Sequence, residues 1–374
     1  MPYPGVLPVP TTLPNTTGFP GPYDVYIPQL GNGKQQANLI VSYARDPKKF
    51  WVAGACTVTP RNELSGMWLQ LRPEALARVY QDPNAYIWVD GQPFPTGNYN
   101  TQDFRAVPFQ CLRRAMPDYL GQQTQEQAVW PIEATKIDAL GHIMMTLRAV
   151  VFYNLMLNPA NYLSTHVATA TQWSSLNGAT GGGWQQGTET NPIIARTLRN
   201  IANQIRKDTL ATVNINNLTC VIDPDAAIIA GSSAEVYSYL ARSRFAGPHL
   251  RGDDESLSGD PSWGMPPMIG GMKVEVDPTL QTISPRLQVP GTYADVMNYN
   301  TAIVMAKPGQ INANVGQVNS GFSSVHMFVY RGQEMVVKSK SDDWNQLTKF
   351  GCYETYGMSI VAPETTGLAT SLFV

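Results

Sequence analysis

Charge is what this chain has least of: 14% of its 374 residues are Asp, Glu, Lys or Arg, against roughly 25% in an ordinary soluble domain. No stretch reaches the ~18 consecutive uncharged apolar residues of a membrane span, so a membrane partner is not expected. The formal net charge of −2 leaves no basic field of the kind that releases counterions from nucleic acid. Tight or sequence-specific DNA binding is thereby disfavoured. Cysteine is equally sparse: Cys56, Cys111, Cys220 and Cys352 lie far apart with no CxxC pair, which reads as reduced thiols in a protein made in a cytoplasm. Residues Met1 to Pro10 are broken by proline and cannot form the apolar helix of a signal peptide.

Chemical motifs are missing as well. The glycines at 181 to 183 have no following Gly-Lys-Ser/Thr, so they lack the lysine of a phosphate-binding loop. His142, His166, His249 and His326 show no metal-ligand spacing, and the cysteines add none. The acidic run RGDDESLSGD, with Asp253, Asp254, Glu255 and Asp260, lacks the alternation and glycine of a calcium-binding EF-hand loop. No GxSxG elbow occurs. The sequence nominates no catalytic residue, no metal ligand and no cofactor.

What is present is apolar and aromatic. Hydrophobic residues make up 43%, including 17 Tyr, 8 Trp and 14 Met, a composition suited to permanent interfaces, whose cores shed Lys, Glu and Asp. The first 33 residues carry prolines at 2, 4, 8, 10, 14, 20, 22 and 28 and show neither helical nor strand periodicity. They read as an extended arm. Ordering some 30 residues costs roughly 1 kcal/mol each, so such an arm must bury on the order of 1,000 Å² of apolar surface. Tyr3, Leu7, Phe19, Tyr23 and Tyr26 are suited to supply it against a neighbour.

Further along, Asn38 to Val58 is rich in β-branched and aromatic residues and predicts a strand, with a short helix at Pro73 to Gln81. Ala85 to Asp90 and Phe104 to Arg113 predict two strands joined by a long Gly-, Pro- and Asn-rich tip that includes Phe94 and Tyr99. The tip exceeds a tight hairpin loop and is expected to make a contact. From Pro131 to Leu157, Ile137, Leu140, Met144, Leu147, Val151 and Leu155 step by three or four, predicting a helix of roughly 40 Å. GATGGGWQQG at 178 to 187 predicts a flexible loop. A second helix over Pro192 to Leu210, the strand LTCVI and a helical stretch to Leu240 predict an α/β unit, and the chain from Ser324 onward is β-rich.

The succession of arm, long hairpin, spine helix, α/β unit and β-rich tail resembles the Hong Kong 97-like fold of tailed-phage major capsid proteins. WPIEATKIDALGHIMMTLRAVVFYNLM is similar to the hairpin end running into the spine helix, and NPIIARTLRNIANQIRKDTLATVNINNLTCVIDPDAAIIAGSSAEVYSYLARS to the helix, strand and helix that lead into the axial domain. MIGGMKVEVD resembles the strand after the axial loop, and YETYGMSIVAPETTGLATSLFV the closing return. The resemblance implies an α+β fold divided into an arm at 1–50, an extended hairpin region at 51–125, a peripheral domain at 126–215, an axial domain at 216–330 and a return at 331–374. It implies a structural protein in the virion, not an enzyme, that self-assembles as pentamers and hexamers of an icosahedral shell around double-stranded DNA. A portal is an implied partner, with scaffolding or decoration proteins as further ones. Arm and hairpin would overlap neighbouring subunits. Two other readings remain open on sequence: an encapsulin or another phage shell or tail component, and a β-rich carbohydrate-active enzyme suggested by the Trp and Tyr content.

Overall fold

The computed structural model describes residues 50–71, 104–127, 132–242, 263–283, 292–310, 323–342 and 344–373. The five aromatic and aliphatic arm residues, the expected helix at 73–81, the strand at 85–90, Phe94, Tyr99 and the acidic loop lie outside them.

In chain order the first elements are β1 (Thr57–Arg61), β2 (Ser65–Leu71), β3 (Phe104–Gln110), β4 (Leu112–Gly121), α1 (Gln122–Gln127) and α2 (Ile132–Met156). Then come β5 (Val167–Thr169), α3 (Ala170–Ser175), α4 (Ile193–Asp208), β6 (Thr219–Ile222), α5 (Pro224–Gly231) and α6 (Ala234–Arg242). The remainder is β-rich: β7 (Met268–Ile269), β8 (Met272–Val276), β9 (Leu280–Thr282), β10 (Tyr293–Asp295) and β11 (Thr301–Met305), followed by β12 (Val325–Tyr330), β13 (Val336–Asp342), β14 (Leu347–Ile360) and β15 (Gly367–Thr370).

Two large sheets organise the molecule. One runs β5-β15-β11-β6-β8-β7. Its central strands β6 and β11 are buried on both faces, as the unbroken apolar runs TCVI and TAIVM require. Cys220, Ile222, Val304 and Ala369 face α3, α4 and α5, whereas Val221, Ile303, Met305 and Leu368 point the other way, toward α2. The second sheet is built on β14, which pairs antiparallel with β12, β13 and β4 along its 14 residues, and β1 joins β12 in parallel.

Helix α2 lies between the sheets. Its Leu140 and Met144 meet Leu120, Phe350 and Cys352 of the second sheet, while Met145, Ala149, Phe152 and Met156 pack with Val221, Ile303 and Leu368 of the first. With partners on two sides, its buried face is wider than the expected stripe. Met145, Arg148, Phe152 and Tyr153 are buried, and Leu147, Val151 and Leu155 sit at the margin. The helix is long and apolar enough to cross a membrane, yet Leu140, Met144, Met145, Phe152 and Met156 are taken up by these two sheets.

Three expectations need correction. Trp51–Gly54 is a 3-10 turn and not part of a strand, because Phe50, Val52 and Ala55 all bury against α2 and an alternating strand would turn half of them away. The glycine-rich stretch at 178–187 is not a free loop: Trp184 is fully buried and donates its main-chain N–H to the Leu372 carbonyl at 2.7 Å. A side chain at Gly187 would strike the Glu235 carboxylate, so this glycine is a packing requirement. Leu210 lies past the end of α4 in a left-handed backbone with φ 51° and is half-exposed instead of continuing the helix's apolar face.

Candidate interaction surfaces

The β2/β3 ribbon carries the most exposed apolar face among the described strands. Its register pairs Met67 with Pro108 and Leu69 with Ala106 on one face, and Trp68 with Val107 on the other. The inner face is anchored. Phe109 stacks on Phe328 with ring centres 4.5 Å apart, Trp68 lies 5.9 Å from the same ring, and the Arg61 guanidinium sits 4.5 Å above Trp68. The Cys111 thiol donates to the Phe328 carbonyl at 3.3 Å and the Leu64 carbonyl accepts from the Cys111 N–H at 2.6 Å. A two-stranded ribbon is marginal by itself, so these contacts are what hold it.

The outer face has no such cover. Met67 is 73% exposed and Leu69 66%, with Ala106 and Pro108 exposed beside them. Covering one such large side chain is worth about 1.5–3 kcal/mol. The ribbon crosses β14 at Gly357, where the Gln110 carbonyl leaves no room for a Cβ.

A second exposed apolar surface lies on α5 and α6, where Ile228, Tyr237 and Tyr239 face outward. Both helices are short, and their opposite sides bury Ala226, Ala227, Ala230 and Val236 in the core. At the turn between β13 and β14, Trp344 is 94% exposed.

The buried polar groups are structural ties. His166 is buried between the Thr366 carbonyl and the Asp208 carboxylate, each 2.6 Å from a ring nitrogen, so both nitrogens are occupied. Glu235 accepts the main-chain N–H groups of Ile194 and Ala195 at 2.9 Å each and so caps the start of α4 from a distance. Burial pushes the Cys56 and Cys220 thiols up to about 12, which keeps them inert. All four cysteines are buried and free, as their spacing implies.

The seven side chains expected at neighbour contacts, Tyr3, Leu7, Phe19, Tyr23, Tyr26, Phe94 and Tyr99, lie outside the described residues. Sequence reasoning joined Phe104–Arg113 to Ala85–Asp90 and placed the contact at the tip between them; among the described residues Phe104–Gln110 pairs with Ser65–Leu71, and the outer face of that ribbon was missed. The signal was there in SGMWLQL, where Met67 and Leu69 alternate with Trp68, but alternating apolar residues on both faces do not say which face is covered.

No family model matches the chain, and no curated protein does. Solved structures match over nearly its whole length. A phage-related protein from Bordetella bronchiseptica is 11% identical, with 87% of this chain and 91% of that one covered at a TM-score of 0.55. The capsid of the cyanophage P-SCSP1u is 12% identical, with 96% of each chain covered at a TM-score of 0.52. The mature capsid of bacteriophage PhiM1 is 10% identical, with 86% of each covered at 0.50. The likeness at these identities is one of fold: this is the Hong Kong 97-like fold that the order of elements implied.

Proposed function

We propose that the chain is the major capsid protein of a tailed double-stranded DNA bacteriophage, a structural subunit that assembles with copies of itself into the shell of the virion. The observation that carries this reading is the fold shared with the cyanophage capsid along 96% of both chains. Physical features agree. A shell subunit meets copies of itself through different patches on its opposite sides, and this chain presents separated apolar surfaces on the β2/β3 ribbon and on α5 and α6. Its scarcity of charge suits surfaces that become interfaces, and its mild net charge suits a wall that encloses DNA without gripping it.

The finer parts of the proposal concern how subunits meet. Pentamers and hexamers would form around the axial region, 216–330, with the peripheral region, 126–215, on the outside and the return at 331–374 closing onto it. The arm, 1–50, with Tyr3, Leu7, Phe19, Tyr23 and Tyr26, and the hairpin region, 51–125, with Phe94 and Tyr99, would reach onto neighbouring subunits. A portal and a separate scaffolding or decoration protein would complete the particle, and the chain would be made in the host cytoplasm before entering it. Electron microscopy and size-exclusion chromatography of the purified protein test the reading. Closed megadalton particles are expected; a stable monomer of 41.0 kDa would overturn it.

A further inference from the structure

Three carboxylates from two separate parts of the chain converge at the start of α5. Asp223 precedes the helix, Asp225 lies in its first turn, and Asp295 ends β10, some seventy residues later. One oxygen of each lies within 4.8 Å of one oxygen of each of the others. The first two have an ordinary explanation: Asp223 Oδ2 accepts the Asp225 N–H at 3.0 Å as the helix cap, and an acid in the first turn favours the helix dipole. Asp295 has no such role. It belongs to the separate β9/β10 ribbon, and its charge adds to the repulsion.

A second observation is independent of the clustering. Asp223 is 0% exposed, and its Oδ1 has no partner in good hydrogen-bond geometry, although the Ala226 main-chain N–H lies close enough to ease the carboxylate's charge. A buried carboxylate oxygen without a well-formed hydrogen bond is costly to hold, and nearly all such groups are satisfied by a donor, a cation or a proton. No lysine or arginine pairs with Asp223, Asp225 or Asp295 among the described residues. Asp277 is not available to the cluster, because it is tied to the Tyr153 hydroxyl at 2.6 Å and to the Thr279 hydroxyl.

We propose that Asp223, Asp225 and Asp295 form a binding site for a hard divalent cation, calcium in preference to magnesium. Calcium takes several carboxylate oxygens at about 2.3–2.6 Å in flexible geometry, and the three oxygens here lie within 4.8 Å of one another, inside that reach; magnesium demands a strict octahedron at about 2.1 Å and usually keeps most of its waters beside one or two carboxylates. The donor set is all oxygen, without the imidazole or thiolate that would select zinc or copper. Asp223 forms the buried floor, Asp295 is half-buried, and the exposed Asp225 leaves a path from solvent. Main-chain carbonyls or water would complete the shell. Bound calcium would fasten β10 to the junction of β6 and α5, and the site is independent of the shell reading.

The test uses the full-length chain stripped of metal with a chelator, titrated with calcium chloride while heat and thermal midpoint are followed. Saturable binding of one calcium per chain and a rise in the midpoint are expected. Asp295→Asn, which leaves the helix cap untouched, should weaken binding ~10-fold or more. Asp223→Asn should do the same while remaining folded, since Asn caps helices as well as Asp. Asp253→Asn in the separate acidic loop should bind like the parent. The site is disproved if the parent chain shows no calcium-dependent heat or midpoint shift, or if Asp295→Asn binds calcium as tightly as the parent. Equal or tighter binding of magnesium chloride in the same titration overturns the assignment to calcium.

Discussion

At Arg148 the chain buries a full positive charge in the middle of its central helix. The guanidinium is 2.6 Å from Glu354 of β14 and 3.1 Å from Glu334, and it lies 5.9 Å from the Tyr356 ring. Burial pushes the Glu354 carboxyl up, with the guanidinium opposing that push. Such a pair adds little net stability, but removing one partner strands the other. Glu354→Ala is therefore expected to cost about 3–5 kcal/mol in urea unfolding. The double variant Arg148→Met with Glu354→Leu should recover most of that loss. A single variant as stable as the parent would show that the pair is not desolvated as described.

His326 makes a second residue-scale prediction. Its ring lies 5.6 Å from Trp68 and 6.1 Å from Phe328, and its Nδ1 is 3.3 Å from the Thr59 hydroxyl. Burial, and then the nearby Arg61 charge, lower it from 6.5 to about 4. Between those values the unfolded chain binds a proton that the folded chain does not, so stability is present above pH 6.5 and declines as pH falls toward 4. The loss approaches roughly 3 kcal/mol for this group. In urea unfolding at pH 7.5 and 4.5, His326→Gln should show a smaller acid-side decline than the parent chain. Equal declines would locate the acid sensitivity elsewhere.

At the scale of elements, the β2/β3 ribbon separates folding from association. Its inner face supplies Trp68, Val107 and Phe109 to the body of the protein, and its outer face leaves Met67 and Leu69 uncovered by the described residues. Replacing both by serine is expected to leave the thermal midpoint of the isolated subunit within about 2 °C, because surface changes typically stay within ±0.5 kcal/mol. The same variant should assemble poorly, as read by light scattering or micrographs. Normal particles from the Met67→Ser, Leu69→Ser chain would remove this face from the proposed interface. Helix α2 poses the opposite case. It is covered on two sides, so substitutions at Met144, Phe152 or Met156 act through stability, at about 2–5 kcal/mol for a large-to-alanine change.

For the whole molecule, the proposal is a subunit whose core is complete in one chain and whose periphery is shared. Truncation of residues 1–33 is expected to leave a soluble, folded protein that no longer forms shells; circular dichroism and micrographs of that truncation check the two halves separately. Normal assembly of the truncated chain would show that the arm has no part in it.

How much of this was legible beforehand follows the range of the forces involved. Helix α2 was readable almost to the residue, from Pro131 and a step of three and four, because helix formation is governed by neighbours along the chain. The strand from Thr219 was readable from its unbroken apolar run. The glycine-rich stretch at 178–187 was misread because glycine marks both flexible chain and close approach, and only the position of Glu235 beside Gly187 distinguishes them. The convergence of Asp295 on Asp223 was invisible in the sequence: no local pattern records that the end of β10 meets the junction of β6 and α5 some seventy residues away. The amino-acid sequence by itself determined the identity and order of the main elements and the neutral, aromatic character of the surface. Which strands became neighbours, which face of the ribbon was left uncovered and which charges were buried together were decided by tertiary packing, because burial depends on contacts between distant segments and not on any one of them.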